Sequence, residues 1–277
     1  FGAQKDQPGD VFSDMFLEYN QNRTSGNMES IWVMQLEYDT NGGGGKYEDW
    51  TKRAWVPKYW NETGFTLCDS LGGRGVAQIV PFKWWIDEDG FYTANDVRNS
   101  KYNIKRTWYY NNPETPELLG KEAPVTESTW SKCTIYPVIT KFFYGKTDDS
   151  PSYEGNNKDR MKFRLAETYL LLAEARIRQN NASGAAEAIN VVRKRAGAPD
   201  ITASQATMDF LLDERIRELV GEELRRLTLV RTGKLVERTR KYNSYSNKID
   251  EHHALWPIPQ TIIDSNTGAD FPQNTGY

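Results

Sequence analysis

Between Arg164 and Pro199 the chain reads RLAETYLLLAEARIRQNNASGAAEAINVVRKRAGAP, and no other stretch restricts its fold as much. Phe163, Ala166, Leu170, Ala173 and Ile177 recur at spacings of three and four, which lines them along one stripe of a helix. A polar turn, Gln179 to Gly184, follows, and then Ala185, Ala188, Ile189, Val192 and Ala196 repeat the pattern. Asn181 or Ser183 can cap the second helix, and Gly197 with Pro199 ends it. The alanines fall on the facing stripes. Small side chains there let two helix backbones approach closely, so the segment predicts a tightly packed helical hairpin.

Helical periodicity continues downstream. Met208, Leu212, Ile216 and Leu219 mark a third helix with Thr207 or Ser204 near its start. Leu224, Leu227 and Val230 mark a fourth, closed by Gly233. Glu214, Glu218 and Glu222 lie on one face at spacings of four, and Arg193 and Arg195 at the end of the second helix can oppose them. The expectation is a structural ion network. From His252 onward Pro257, Pro259 and Pro272 favour an extended tail, with Leu255, Trp256 and Ile258 as apolar anchors over the helical body.

The first part of the chain has different chemistry. Eight of the nine tryptophans precede residue 155, among Gly-, Asn- and Asp-rich turns such as Asn41 to Gly45 and Leu71 to Gly75. Short strands are expected at Ser30 to Leu36 and Ile135 to Phe143, separated by long loops, which are usually functional. Tyr47, Trp50, Trp55, Tyr59 and Trp60 crowd a segment that also carries Lys52, Arg53, Lys58 and Asn61; Arg74 and Trp84 are further candidates. Such rings offer a π-face to the flat C–H faces of sugars, while amide and charged side chains take the hydroxyls.

Other chemistries find little support. A net charge of -3 supplies no basic field for nucleic acid, and no apolar run approaches the 18 residues of a membrane span. Cys68 and Cys133, with no CxxC and no nearby histidine, argue against zinc and leave a disulfide or two thiols open. Asp87-Glu88-Asp89-Gly90 lacks the EF-hand glutamate, since Arg98 occupies the twelfth position. Gly45-Lys46 precedes Tyr47 instead of Ser or Thr, so no P-loop exists. His252 and His253, adjacent in the tail, are poorly placed for a catalytic triad.

Four blocks taken in order carry a resemblance. RLAETYLLLAEA, EAINVVRKRAGAP, DERIRELVGEELRRLTLVRTGKL, and LWPIPQ with the terminal QNTGY resemble the carboxy-terminal half of the SusD/RagB family, Bacteroidetes surface lipoproteins that capture nutrients. Thr93 to Arg106 and Ile135 to Phe142 extend the likeness more faintly. Thr228 stands where that pattern often has an acid, and QNTGY replaces QNPGY. The resemblance implies a mostly α fold, a tetratricopeptide-like scaffold carrying an irregular loop-rich α+β ligand-binding region. Residues 1–155 would form the ligand face and 156–277 the helical part with its tail, intertwined as one domain. It further implies a non-catalytic protein without cofactor that binds extracellular oligo- or polysaccharide at the outer-membrane surface. The partner would be a TonB-dependent SusC-like transporter, and the lipid anchor, signal peptide and earlier repeats would lie outside this chain. Peptide capture of the RagB kind, or a protein-interaction module, are the alternatives.

Overall fold

A computed structural model of the protein describes residues 2, 5–37, 40–42, 50–87, 90–143 and 158–277. The fold is mostly helical. The chain divides into two compact units, Phe1–Val220 and Gly221–Tyr277. The aromatic-rich region and the first helices after it therefore share one unit.

In the first unit the elements follow as β1 (Ser30–Met34), α1 (Thr51–Trp55), α2 (Lys83–Ile86), β2 (Ile104–Lys105), β3 (Trp108–Tyr109), β4 (Glu122–Ala123), α3 (Glu127–Ser131), β5 (Val138–Ile139), β6 (Arg160–Arg164), α4 (Leu165–Arg178), α5 (Ala182–Arg195) and α6 (Met208–Leu219). The strands pair in twos, all antiparallel: β1 with β6, β2 with β5, and β3 with β4. The second unit holds α7 (Arg225–Arg231), α8 (Leu235–Tyr242) and α9 (Gln260–Ser265).

The predicted hairpin is α4 and α5. Ala166, Leu170 and Ala173 pack against Ala185, Ala188, Ile189 and Val192, all buried, and Leu211 and Leu219 of α6 complete this core. Asn181 caps α5, its side chain accepting the Gly184 N–H at 2.9 Å. Gly197 ends it with φ +71, and a Cβ there would lie 2.8 Å from the Asn95 carbonyl oxygen, so a side chain is excluded both by conformation and by space.

Several expectations need correction. Phe163 is not on the helical stripe: it lies in β6, 55% exposed, opposite Trp32 of β1. There its ring lies at the surface, stacked on Trp32. Glu222 does not continue the acidic face because α6 stops at Leu219; Val220 has left helical geometry (φ -53, ψ 128) and Gly221 has φ +79. On α7 and its entry, Leu224 and Leu227 are exposed at 73% and 55%, so that stripe is not a core stripe. The tail is extended around Pro257 and Pro259, where the Gln273 side chain both accepts from the Ile258 N–H (2.7 Å) and donates to its carbonyl (2.8 Å); Glu251–Ala254 and Gln260–Ser265 on either side are helical, against expectation. Yet Leu255 and Trp256 stay exposed, Trp256 lying against the Arg226 guanidinium at 4.7 Å.

A second core lies in the loop-rich region around Val56, Tyr59, Ile104, Trp108, Ile135, Tyr136 and Val138. Two of the buried rings there have their polar atoms bonded. Trp108 Nε1–H donates to the Tyr136 carbonyl (3.2 Å), and the Tyr136 hydroxyl donates to that of Trp55 (3.0 Å). Burial pushes the Tyr136 and Tyr92 hydroxyls far above their ordinary range. Both are permanently neutral framework groups. Cys68 and Cys133 are free thiols, each half-buried.

Buried charges join the helices to the loop region. Arg98 spans Asp96 (2.7 Å), Glu214 (2.8 Å) and Glu218 (3.1 Å). Arg193 and Arg217 meet the other Glu214 oxygen at 2.9 and 3.0 Å, while Arg164 and Arg195 close on Glu218. Lys141 donates to the Glu218 carbonyl at 2.7 Å. Burial by itself would raise both carboxyls, but the surrounding cations outweigh it. Arg98, Arg217 and Arg193 hold Glu214 below its ordinary value, and Arg195, Arg164, Arg98 and Lys141 hold Glu218 well below.

Candidate functional site

The aromatic segment is shaped by a backbone contact the sequence does not announce. Residues 76–79 run beside α1: Val76 and Ile79 N–H groups donate to the Arg53 and Ala54 carbonyls (2.8 and 2.9 Å), and Ala77 to Val56 (3.1 Å). Gly75 is obligatory at the start of this run, because a Cβ would collide with the carbonyl oxygens of Val56 and Pro57. The close approach brings the Gly75 carbonyl to Trp60, whose Nε1–H donates to it at 3.0 Å.

Trp50 precedes α1 and is 49% exposed, with the Arg53 guanidinium 4.2 Å from its ring. Trp60 is half-buried, and Arg74 lies 5.5 Å from its ring. Each indole is thus paired with a cation that stiffens it. Two neighbouring chain segments present two ring–guanidinium pairs, with Ile79 exposed beside α1.

Trp55 and Tyr59 do not join them. Trp55 is 8% exposed and stacks on Phe142 (6.2 Å). Tyr59 is fully buried, packed on Phe65 and Trp108, and its hydroxyl both donates to and accepts from the Cys68 backbone. Both belong to the core, which corrects their placement among ligand candidates. The reason is angular. At about 100° per residue, positions 50 and 55 point about 140° apart around a helix. Tyr59 and Trp60 sit about 120° apart on the 3-10 turn Tyr59–Asn61. In each pair one ring faces in and the other out.

Trp84 and Trp85 lie together on α2. Trp85 is buried, and Trp84 is half-buried with its ring edge-on to Phe91 at 5.3 Å. Tyr47, Gly43 to Gly45, Glu88 and Asp89 lie outside the described residues. Sequence reasoning overlooked Trp32, 55% exposed and stacked on Phe163 at 5.9 Å, and the exposed Tyr19. Trp32 stands in a strand that was foreseen, but its partner strand comes from residues about 130 positions away. Among the described residues no group of three acids, histidines or cysteines is arranged for a metal, and no helix is long and apolar enough to cross a membrane.

Residues 9–277 match the profile of the SusD family. The chain belongs to that family. A SusD-like protein of Formosa agariphila is 31% identical over 141 residues, covering 47% of this chain and 27% of that protein. The starch-binding protein SusD of Bacteroides thetaiotaomicron is 36% identical over 122 residues, 42% of this chain and 21% of that protein. Surface glycan-binding protein A from the same bacterium, solved in complex with laminarihexaose, superposes with a TM-score of 0.62 at 23% identity, over 98% of this chain and 56% of that one. That likeness establishes a shared fold. This SusD-family chain therefore spans a little over half of that solved neighbour, and its alignments cover about a quarter of these curated relatives.

Proposed function

We propose that the chain is the ligand-bearing part of a non-catalytic protein that binds an oligo- or polysaccharide at the outer-membrane surface of a bacterium. The ligand passes to a TonB-dependent SusC-like transporter, and attachment to the membrane is through a lipid anchor outside this chain. The observation that carries the reading is Trp50, a half-exposed indole braced by Arg53 at 4.2 Å, with Trp60 and Arg74 on the adjoining segments. A flat ring accepts the C–H face of a pyranose; Arg53, itself buried, braces the ring, and the Arg74 guanidinium can donate to the sugar hydroxyls. Starch and laminarihexaose, named for two relatives, are ligands of this kind.

The recognition needs no bond-making group. Stacking and a few hydroxyl bonds select shape, and the cost of ordering a flexible glycan keeps affinity modest. Affinity electrophoresis against a glycan panel tests the reading. Retardation by at least one glycan is expected, and Trp50→Ala should weaken binding by about tenfold, the equivalent of ~1.4 kcal/mol. Reducing-sugar release should be absent. No retardation on any glycan, with calorimetric heat on peptides, would overturn the proposal in favour of peptide capture.

A further inference from the structure

β1 and β6 are paired as far as Met34 and Arg160, and where they part a cavity of about 280 Å³ opens. That is enough room for a small ligand such as one sugar ring. Its floor is rigid. Lys158 is buried and its ammonium donates to the carbonyls of Phe16 (2.6 Å), Lys141 (2.8 Å) and Phe143 (2.7 Å). Asp159 accepts the Leu36 N–H at 2.9 Å with one oxygen and the Asn22 amide at 2.8 Å with the other. Gln35 gives its Nε2–H to Asn22 at 2.7 Å, which leaves its carbonyl oxygen as an acceptor.

The walls combine an aromatic face with hydrogen-bonding groups. Tyr19 lines the cavity with a ring that is 56% exposed, and Glu18, Glu37 and Asn41 lie around it. We infer that this cavity holds one neutral pyranose ring, as a second carbohydrate site built on different segments from Trp50 and Trp60. A pyranose brings one apolar face and a rim of hydroxyl donors, and Tyr19 with these acceptors complements both. Among the described lining residues, the carboxylates of Glu18, Glu37 and Asp159 outnumber the Lys158 ammonium and disfavour a uronate or a sulfated ring. Both Asp159 oxygens are already engaged in holding the floor, so the cavity is not organised around a cation. Only the ligand class rests on the carbohydrate reading above; the cavity stands apart from it.

Tyr19 offers a clean test because its φ is +68, where glycine is at ease and a bulky residue is strained. Tyr19→Gly removes the ring while suiting the backbone, so its melting temperature should not fall. Saturation-transfer NMR with D-glucose, D-galactose, D-mannose and D-glucuronate would be run on the wild type, Tyr19→Gly, Trp50→Ala and the variant carrying both substitutions. At least one neutral hexose should still bind Trp50→Ala in the millimolar range, at least tenfold weaker once Tyr19→Gly is combined with it, and with glucuronate inactive. Equal binding to Trp50→Ala with and without Tyr19→Gly, equal binding of glucuronate, or no binding by any of the hexoses would overturn the proposal. Loss of hexose binding in Trp50→Ala would do so too, by reducing the two sites to one. Loss of polymer retardation in Trp50→Ala with hexose binding intact separates the two readings, since each can fail alone.

Discussion

Trp50 and Trp55 stand five positions apart and meet opposite surroundings, one half in solvent, the other stacked on Phe142 within the core. Their substitutions should therefore separate stability from binding. Trp55→Ala removes a buried indole and is expected to cost about 3–5 kcal/mol, whereas Trp50→Ala, at the surface, should stay within about 0.5 kcal/mol. Chemical denaturation of the two variants measures the difference. A Trp50→Ala loss as large as that of Trp55→Ala would place Trp50 in the core and remove it from the ligand face. Composition could flag all these rings as candidates. It could not separate them, because exposure depends on the 76–79 segment folding back beside α1 and on Gly75 allowing that approach.

Among the elements, α4 and α5 were the most legible, because every signal for them is local. The stripe of alanines, the Asn181 cap and the Gly197 stop act within a few residues, and each is present in the structure. Close packing makes a test. Ala188 is buried between the helices, so Ala188→Leu should overfill the interface and cost about 1–3 kcal/mol. An unchanged denaturation midpoint would show that the helices are not in tight contact there. Where an element begins or ends by a tertiary contact, periodicity misled. Phe163 continues the helical spacing on paper but belongs to β6, because β1 captures that stretch by ladder hydrogen bonds. Likewise α6 stops before Glu222, because Gly221 turns the chain in a left-handed conformation.

At the scale of the whole molecule, the buried charges decide how the first unit responds to acid. Glu214 and Glu218 titrate below the ordinary glutamate value of 4.5 in the folded state. A carboxyl depressed by folding stabilises the native state fully above its unfolded value, and that stability is lost as pH falls through the folded value. The melting temperature should therefore be flat near neutrality with respect to this pair and drop steeply below about pH 4.5. Glu218→Gln should lower stability at pH 7 and flatten that acid limb. An acid limb of the same steepness in Glu218→Gln would show that Glu218 does not govern it. Both glutamates and two of their partners, Arg193 and Arg195, could be read from helical spacing. Arg98, Arg164 and Lys141 could not, since they reach the cluster from loops and strands far away in sequence. The cavity beside Tyr19 was hidden for the same reason: residues near 19, 35 and 158 line it together. By itself the sequence determined the helical hairpin, its caps and the family, because short-range period and ordered motifs carry that information. Only the tertiary structure decided which rings face solvent and which cations enter the network, because both depend on contacts between segments that no local pattern records.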